Sequence, residues 1–272
     1  MSFALQPYLE RIGMPARPTL DAAGLQRLQF AHRTAIPFEN LDIRLGRGIA
    51  IDSVSVFAKL VGQRRGGYCF EQNRLFLDAL ADLGFEARPL LARVWLGAEA
   101  TPPLTHTLSL VTLGGAPWIA DAGFGGSYAP VMPLVDGAAA TAPDGATFRL
   151  SHEDGEWTLW REGDPATTDG RNTAPGWQRQ FSFTTAEVPD ADLMMGNWWT
   201  QSHPDSRFVR HVIASIILPH GFAKLTDRSY ARMAAGEGSD AEITDPRVYR
   251  MRMSLMFGID LTPEELAGLG LF

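Results

Sequence analysis

"RGGYCFEQNRLFLDALADLG", residues 65–84, sets how the rest of the chain is read. Phe76, Leu80 and Leu83 recur at i, i+4 and i+7, the spacing that lines one face of a helix, and Gly84 is a stop signal because glycine reaches the left-handed conformation cheaply. The spacing predicts a helix over 69–83, with Cys69, the only cysteine of the chain, in its first turn. A thiol there faces unpaired backbone N–H groups and the positive end of the helix dipole, both of which favour thiolate. The preceding Gly66-Gly67 is expected to let backbone approach a ligand and present an N–H to a developing oxyanion. Cys69 therefore has two readings, a nucleophile or a small buried apolar side chain.

Toward the N-terminus the signals are helical. "LDAAGLQRLQFAHRTA" (20–35) spaces Leu20, Leu25, Leu28 and Phe30 at roughly helical intervals, "SVSVFAKLVGQ" (53–63) follows a candidate N-cap, Asp52, and "IPFENLDIRLG" (36–46) between them reads as a loop. Toward the C-terminus the period changes to two. "RPLLARVWL", "HTLSLVTL" and "PWIADAGF" read as strands, "TFRLSHEDGEWTLWRE" as a hairpin turning at Asp154-Gly155, and "DGAAATAPDGA" (136–146) as a surface loop. Beyond residue 186 the pattern is mixed: "DADLMMGNWWTQSHP" is helix-like, "RFVRHVIASIILP" strand-like and "TPEELAGLGLF" a short capped helix. Helices, then strands, then mixed elements predict an α+β fold in three regions, 1–85, 86–185 and 186–272, the middle one an antiparallel sheet or barrel. A parallel dinucleotide-binding sheet is disfavoured, since "GFGGS" (123–127) departs from G-x-G-x-x-G and no P-loop is present.

The 272 residues carry a formal net charge of −7, with a pI near 5.4. With no dense run of Lys or Arg, nucleic acid and anionic membranes are not expected partners. The start "MSFALQPYLERIG" lacks the basic end and apolar run of a signal peptide, and no stretch is long enough for a membrane span, so a cytoplasmic location is expected. One cysteine forms no internal disulfide and no Cys-x-x-Cys zinc site, so no metal is expected.

A nucleophilic cysteine needs an imidazole base, and the base needs an acceptor that fixes its tautomer. Of six histidines, His106 opens a strand and Asp121 lies in the next one, with Gly114-Gly115 between them as a two-residue turn. That loop makes facing residues sum to 229, so His106 and Asp121 are diagonal neighbours on one face, about 7–8 Å apart at the backbone and within side-chain reach. Asp121 also sits in an apolar strand, where an unpaired carboxylate is costly. His32 reads as structural and His152 as solvated, while His203, His211 and His220 lack a carboxylate at a strand-paired offset. The alternative is that Asp121 caps a turn and His106 is a surface residue.

"IPFENLDI" (36–43), "RRGGYCFEQN" (64–73), "THTLSLV" (105–111) and "WIADAGFGG" (118–126), in this order, closely resemble the arylamine N-acetyltransferases. "SHPDSRF" (202–208) is similar to a degraded form of that family's Ser-x-Ser/Thr-Pro-x-Ser-x-Phe stretch, with His203 and Pro204 with Asp205 replacing its usual hydroxyl-rich pattern. The resemblance implies a helical bundle, a central antiparallel β-barrel and an α/β lid around a cysteine-protease-like core. It implies a catalytic triad of Cys69, His106 and Asp121, and ping-pong transfer of an acetyl group from the co-substrate acetyl-CoA, through a Cys69 thioester, to an arylamine or arylhydrazine. It further implies that Phe38, Phe124 and Phe208 line the substrate pocket, and makes Gly125 and Gly126 candidates for contacts to CoA. Arg64, Arg65, Arg207, Arg210 and Lys224 are undivided candidates for its phosphates. Three other readings stay open: an amide synthase taking a carrier-bound acyl chain, a Cys-His-Asp hydrolase, and a binding module with an inert Cys69.

Overall fold

The computed structural model describes residues 3–163 and 175–272. The helical region holds α1 (Leu5–Arg11), α2 (Ala22–Ala35), α3 (Leu41–Arg44), α4 (Ser53–Phe57, continued by a wider turn through Gly62) and α5 (Cys69–Leu83). The expected helix over 69–83 is α5. Gly84 ends it at φ 96°, and Leu75, Phe76, Ala79 and Leu80 are buried against α1, α2 and α4. Each such large side chain contributes about 1.5–3 kcal/mol of burial. The segment 36–46, expected as a loop, instead forms a two-residue strand, β1 (Phe38–Glu39), followed by α3.

Among the described residues eight antiparallel strands form the second layer: β2 (Glu86–Val94), β3 (Leu104–Leu113), β4 (Ala116–Ala120), β5 (Met132–Pro133), β6 (Ala139–Thr141), β7 (Thr147–Glu153), β8 (Glu156–Glu162) and β9 (Trp177–Phe183). Their spatial order is β5-β4-β3-β2-β9-β8-β7-β6, an almost closed barrel whose interior packs Leu90, Leu108, Phe148, Leu159 and Phe181. The expected hairpin over 147–162 is present, with Asp154 at φ 49° and Gly155 at φ 80°, the two left-handed residues such a turn requires. The stretch 136–146, expected as a surface loop, carries β6.

The third region opens with α6 (Asp190–Ser202) and α7 (Arg207–Arg210). A sheet follows: β10 (Ile213–Leu218), β11 (Gly221–Thr226), β12 (Ser229–Ala234) and β13 (Glu237–Glu242). The strand expected from residue 207 therefore begins at 213, because Ser206 accepts the Phe208 N–H and starts a helical turn first. The helices α8 (Pro246–Phe257) and α9 (Pro263–Gly268) cover this sheet. β1 pairs with β10, Phe38 opposite Ser215, so the helical region supplies an edge strand to the C-terminal sheet. The fold class is α+β, as expected.

Candidate active site

α5 delivers its first residue, Cys69, to a cavity of about 250 Å³. Tyr68 precedes the helix, and its backbone N–H is held by the Glu71 carboxylate at 3.0 Å. The glycines before it do a different job from the one expected. A Cβ on Gly66 would lie 2.3 Å from the Pro37 carbonyl, and one on Gly67 would lie 2.8 Å from the Glu71 carboxylate. They let this turn pack on its own neighbours, and neither lines the cavity.

The β3–β4 hairpin supplies the histidine and the aspartate. Gly114 and Gly115 both take positive φ, and the ladder pairs Leu113 with Ala116 and Ser109 with Ala120, so facing residues sum to 229. β4 ends at Ala120, which leaves Asp121 one residue beyond the strand in which it was expected. His106 Nε2 lies 2.7 Å from Asp121 Oδ2, and both side chains are buried. Asp121 Oδ1 accepts the Gly123 N–H at 2.9 Å and the Asn73 amide at 3.1 Å. Burial alone would raise the Asp121 carboxyl, but His106 and these donors outweigh it and hold it below the usual range. Nε2 is thus committed to the carboxylate, and Nδ1 is left as the ring nitrogen for the cavity side.

Cys69 departs from expectation electrostatically. Its burial, and next the Asp121 charge, push the thiol up, against the backbone N–H groups of Phe70 and of Cys69 itself. The helix start is present, yet desolvation of the sulfur overrides it. The sulfur's recorded contact is the Thr105 carbonyl at 3.6 Å. Ionisation of so buried a sulfur calls for a partner that accepts the proton.

Phe38, Phe124 and Phe208 all line the same cavity, as do Gly125 and Gly126. Phe38 and Phe208 pack ring to ring at 5.8 Å, and Phe124 sits 5.2 Å from the His106 ring. A Cβ on Gly125 would lie 2.9 Å from the Phe38 ring, so its missing side chain serves that packing. Val94, Leu96, Pro102 and Pro103 add apolar wall, and Trp199 adds an indole stacked on His203 at 4.7 Å. Of the five cations considered, Arg207 and Lys224 line the cavity. Arg65 is paired with Glu39 at 3.0 Å and Arg210 with Asp205.

Two positioning residues escape the sequence reading. Asn73, one turn after Cys69, donates to the Thr107 carbonyl at 2.5 Å and accepts the Ala122 N–H at 3.0 Å, locking α5 to both arms of the hairpin. Gln29 of α2 accepts the Asp121 N–H at 2.6 Å and donates to the Ala129 carbonyl at 2.7 Å. The i, i+4 spacing of Cys69 and Asn73 was a usable signal for the first; nothing local marked the second. His32 is buried between the Tyr8 hydroxyl and Gln72, and His152 is exposed and stacked on Trp157. His211, set aside for want of a carboxylate, in fact meets Asp227 at 2.7 Å across the β10–β11 pair.

Among the described residues no cluster of His, Cys, Asp and Glu is arranged to hold a metal ion, and no helix is long and apolar enough to cross a membrane. A family model for N-acetyltransferases matches residues 21–266. The arylamine N-acetyltransferase of Escherichia coli (strain K12) is 41% identical over 229 residues, 83% of this chain and 77% of its own length. Of solved structures, an arylamine N-acetyltransferase from Salmonella typhimurium matches with a TM-score of 0.90 at 32% identity, covering 100% of both chains. The Mycobacterium marinum arylamine N-acetyltransferase in complex with CoA matches with a TM-score of 0.87 at 30% identity, covering 98% of each. The chain belongs to the arylamine N-acetyltransferase family.

Proposed function

We propose that this protein transfers an acetyl group from acetyl-CoA to the nitrogen of an arylamine or arylhydrazine in two half-reactions, with Cys69, His106 and Asp121 as the catalytic triad. The observation that carries the reading is the buried His106–Asp121 pair, 2.7 Å apart, whose histidine lines the same cavity as Cys69. In the first half-reaction His106 Nδ1 takes the Cys69 proton, the thiolate attacks the acetyl carbonyl, and the imidazolium returns the proton to the departing CoA sulfur. In the second, the acceptor nitrogen attacks the Cys69 thioester, His106 removes its proton, and the sulfur leaves. Asp121 holds the Nε2–H tautomer and stabilises the imidazolium. The buried thiol fits this account, because thiolate then forms only together with a charged His106.

The aromatic walls of Phe38, Phe124 and Phe208 suit a flat apolar acceptor. Arg207 and Lys224, on the same cavity, are the cations we assign to the phosphates of CoA. Family membership and the likeness to a relative solved with CoA support the choice of acyl donor. The partners are thus small molecules, and the three regions divided at 85/86 and 185/186 are the units we assign to helical bundle, barrel and lid. Initial rates over a grid of acetyl-CoA and arylhydrazine concentrations test the order of events. Parallel double-reciprocal lines, with a burst of CoA before any acceptor is added, are expected; intersecting lines without a burst would refute the covalent route.

A further inference from the structure

Cys69 is held from behind by Tyr68, and Tyr68 is held by α6. The Tyr68 side chain is fully buried, and its hydroxyl donates to Asn197 Oδ1. Its ring packs on Phe208 at 5.6 Å, edge to face, and on Phe70 at 5.7 Å. Asn197 is buried too, and its amide donates to the Ile49 carbonyl at 3.1 Å. One turn later Gln201 grips both polar groups of Ile49, accepting its N–H at 2.7 Å and donating to its carbonyl at 3.1 Å. Gly196 makes the close approach possible, since a Cβ there would lie 2.8 Å from the Leu104 carbonyl and 2.9 Å from the Phe70 ring. α6 is therefore docked on the nucleophile turn through a Tyr68–Asn197 contact that is buried on both sides, backed by the half-buried Gln201.

The same helix also fixes the far wall of the cavity. The Thr200 carbonyl accepts the Ser206 hydroxyl, and Ser206 in turn accepts the Phe208 N–H at 3.2 Å. One helix thus sets the residue before the sulfur and the aromatic ring facing it. We infer that Asn197, acting through Tyr68, is a positioning residue that fixes where Cys69 stands against the walls of the acyl-transfer cavity. The inference rests on the proposed role of Cys69. A displacement of about 1 Å at a reacting atom costs on the order of 100-fold in rate, so loss of this anchor is read first in the acylation step.

The test compares Tyr68→Phe, Asn197→Leu and the double variant as full-length proteins, with Cys69→Ser as control. Single-turnover acetylation by acetyl-CoA is measured beside thermal melting. Each single variant is expected to acylate about tenfold more slowly or worse than wild type. The double variant leaves no polar atom unpaired at this contact, because Gln201 still serves the Ile49 carbonyl, so its melting temperature returns toward wild type while its acylation stays slow. A double variant that regains rate together with stability would make the contact structural only and overturn the inference. Should Asn197→Leu fail to fold, Tyr68→Phe, which deletes one oxygen, decides: acylation within twofold of wild type overturns it. If Cys69→Ser still turns over, the underlying assignment of the nucleophile falls; if it is inert and Tyr68→Phe is fast, only the positioning role falls.

Discussion

Two histidine–aspartate pairs in this molecule are nearly the same object in different surroundings. His106–Asp121 in the barrel and His211–Asp227 in the C-terminal sheet both close at 2.7 Å, and in each the second carboxylate oxygen accepts a backbone N–H at 2.9 Å, from Gly123 and Val212 respectively. The first pair has side chains only 2% and 3% exposed, while the second has 44% and 39%. In the first, His106 bonds through Nε2 and lines a cavity with a cysteine; in the second, His211 bonds through Nδ1 and neither residue lines that cavity. A short imidazole–carboxylate contact is therefore not by itself a catalytic device. What distinguishes His106 is a dry setting that keeps the pair unscreened and a place on the same cavity as Cys69.

Parallel substitutions break or sharpen this contrast, and the largest effect belongs to the buried pair. In Asp121→Asn, Oδ1 still serves Gly123 and Asn73, but an amide NH₂ faces His106 and forces Nε2 to become the acceptor. Nδ1 then carries the proton where a base is needed, and kcat/KM with an arylhydrazine is expected to fall by about 10³-fold or more. Asp227→Asn, the same change in the exposed pair, is expected to move kcat/KM by less than about twofold, as for a surface group remote from the chemistry. Equal losses from the two would end the comparison.

A third histidine sharpens the role of the carboxylate. His32 is buried like His106 but meets Gln72 at 2.6 Å and Tyr8 at 3.0 Å in place of an acid. Gln72 spends its NH₂ on the Pro37 and Gly67 carbonyls, so its oxygen accepts from His32 Nε2 and the ring takes the Tyr8 proton on Nδ1. Burial, against some help from Gln72, lowers His32 to about 3 from the ordinary 6.5. A depressed folded value gives stability that is complete above pH 6.5 and is lost as pH falls toward 3, because the unfolded chain takes up the proton first. Urea unfolding between pH 6 and 4 is expected to show a slope in His32→Asn that is shallower than in wild type by up to about 1.4 kcal/mol per pH unit. Identical slopes would mean that His32 is free to titrate in the folded state.

The smallest effect is the stability of the exposed pair. Replacing Asp227 by Asn keeps an acceptor for the Val212 N–H and removes only a carboxylate charge that solvent screens, so the expected cost is below about 1 kcal/mol and shrinks in high salt. Chemical denaturation at low and high salt measures it. A salt-independent loss of several kcal/mol would place this pair with the buried one.

Why one pair was legible in the sequence and the other was not follows from the same physics. Local signals sufficed for α5, for the 147–162 hairpin, and for the register that sends His106 toward Asp121, because Gly114-Gly115 fixes the turn within a few residues. His211 and Asp227 flank β10 and β11, whose connecting turn, Pro219-His220, lacks the glycine pair that announced the other hairpin. β1, two residues long, is held by a bridge to Gly67 and by pairing with a strand about 175 positions away, which no local pattern encodes. α8 was passed over although its own signals are clear: Asp245 caps it, Pro246 opens it and Gly258 closes it at φ 64°. For Cys69, position at a helix start is readable in sequence and is where the fold places it, whereas burial of the sulfur depends on the assembled fold.

The central claim is that Cys69 carries the acetyl group between donor and acceptor. Intact-mass measurement of the protein after seconds with acetyl-CoA and no acceptor, followed by peptide mapping, tests it most directly. One added acetyl, confined to the peptide that holds Cys69 and discharged by an arylhydrazine, is the expected result. An unmodified protein that nonetheless acetylates the arylhydrazine, or an acetyl that remains in Cys69→Ser, would contradict the account.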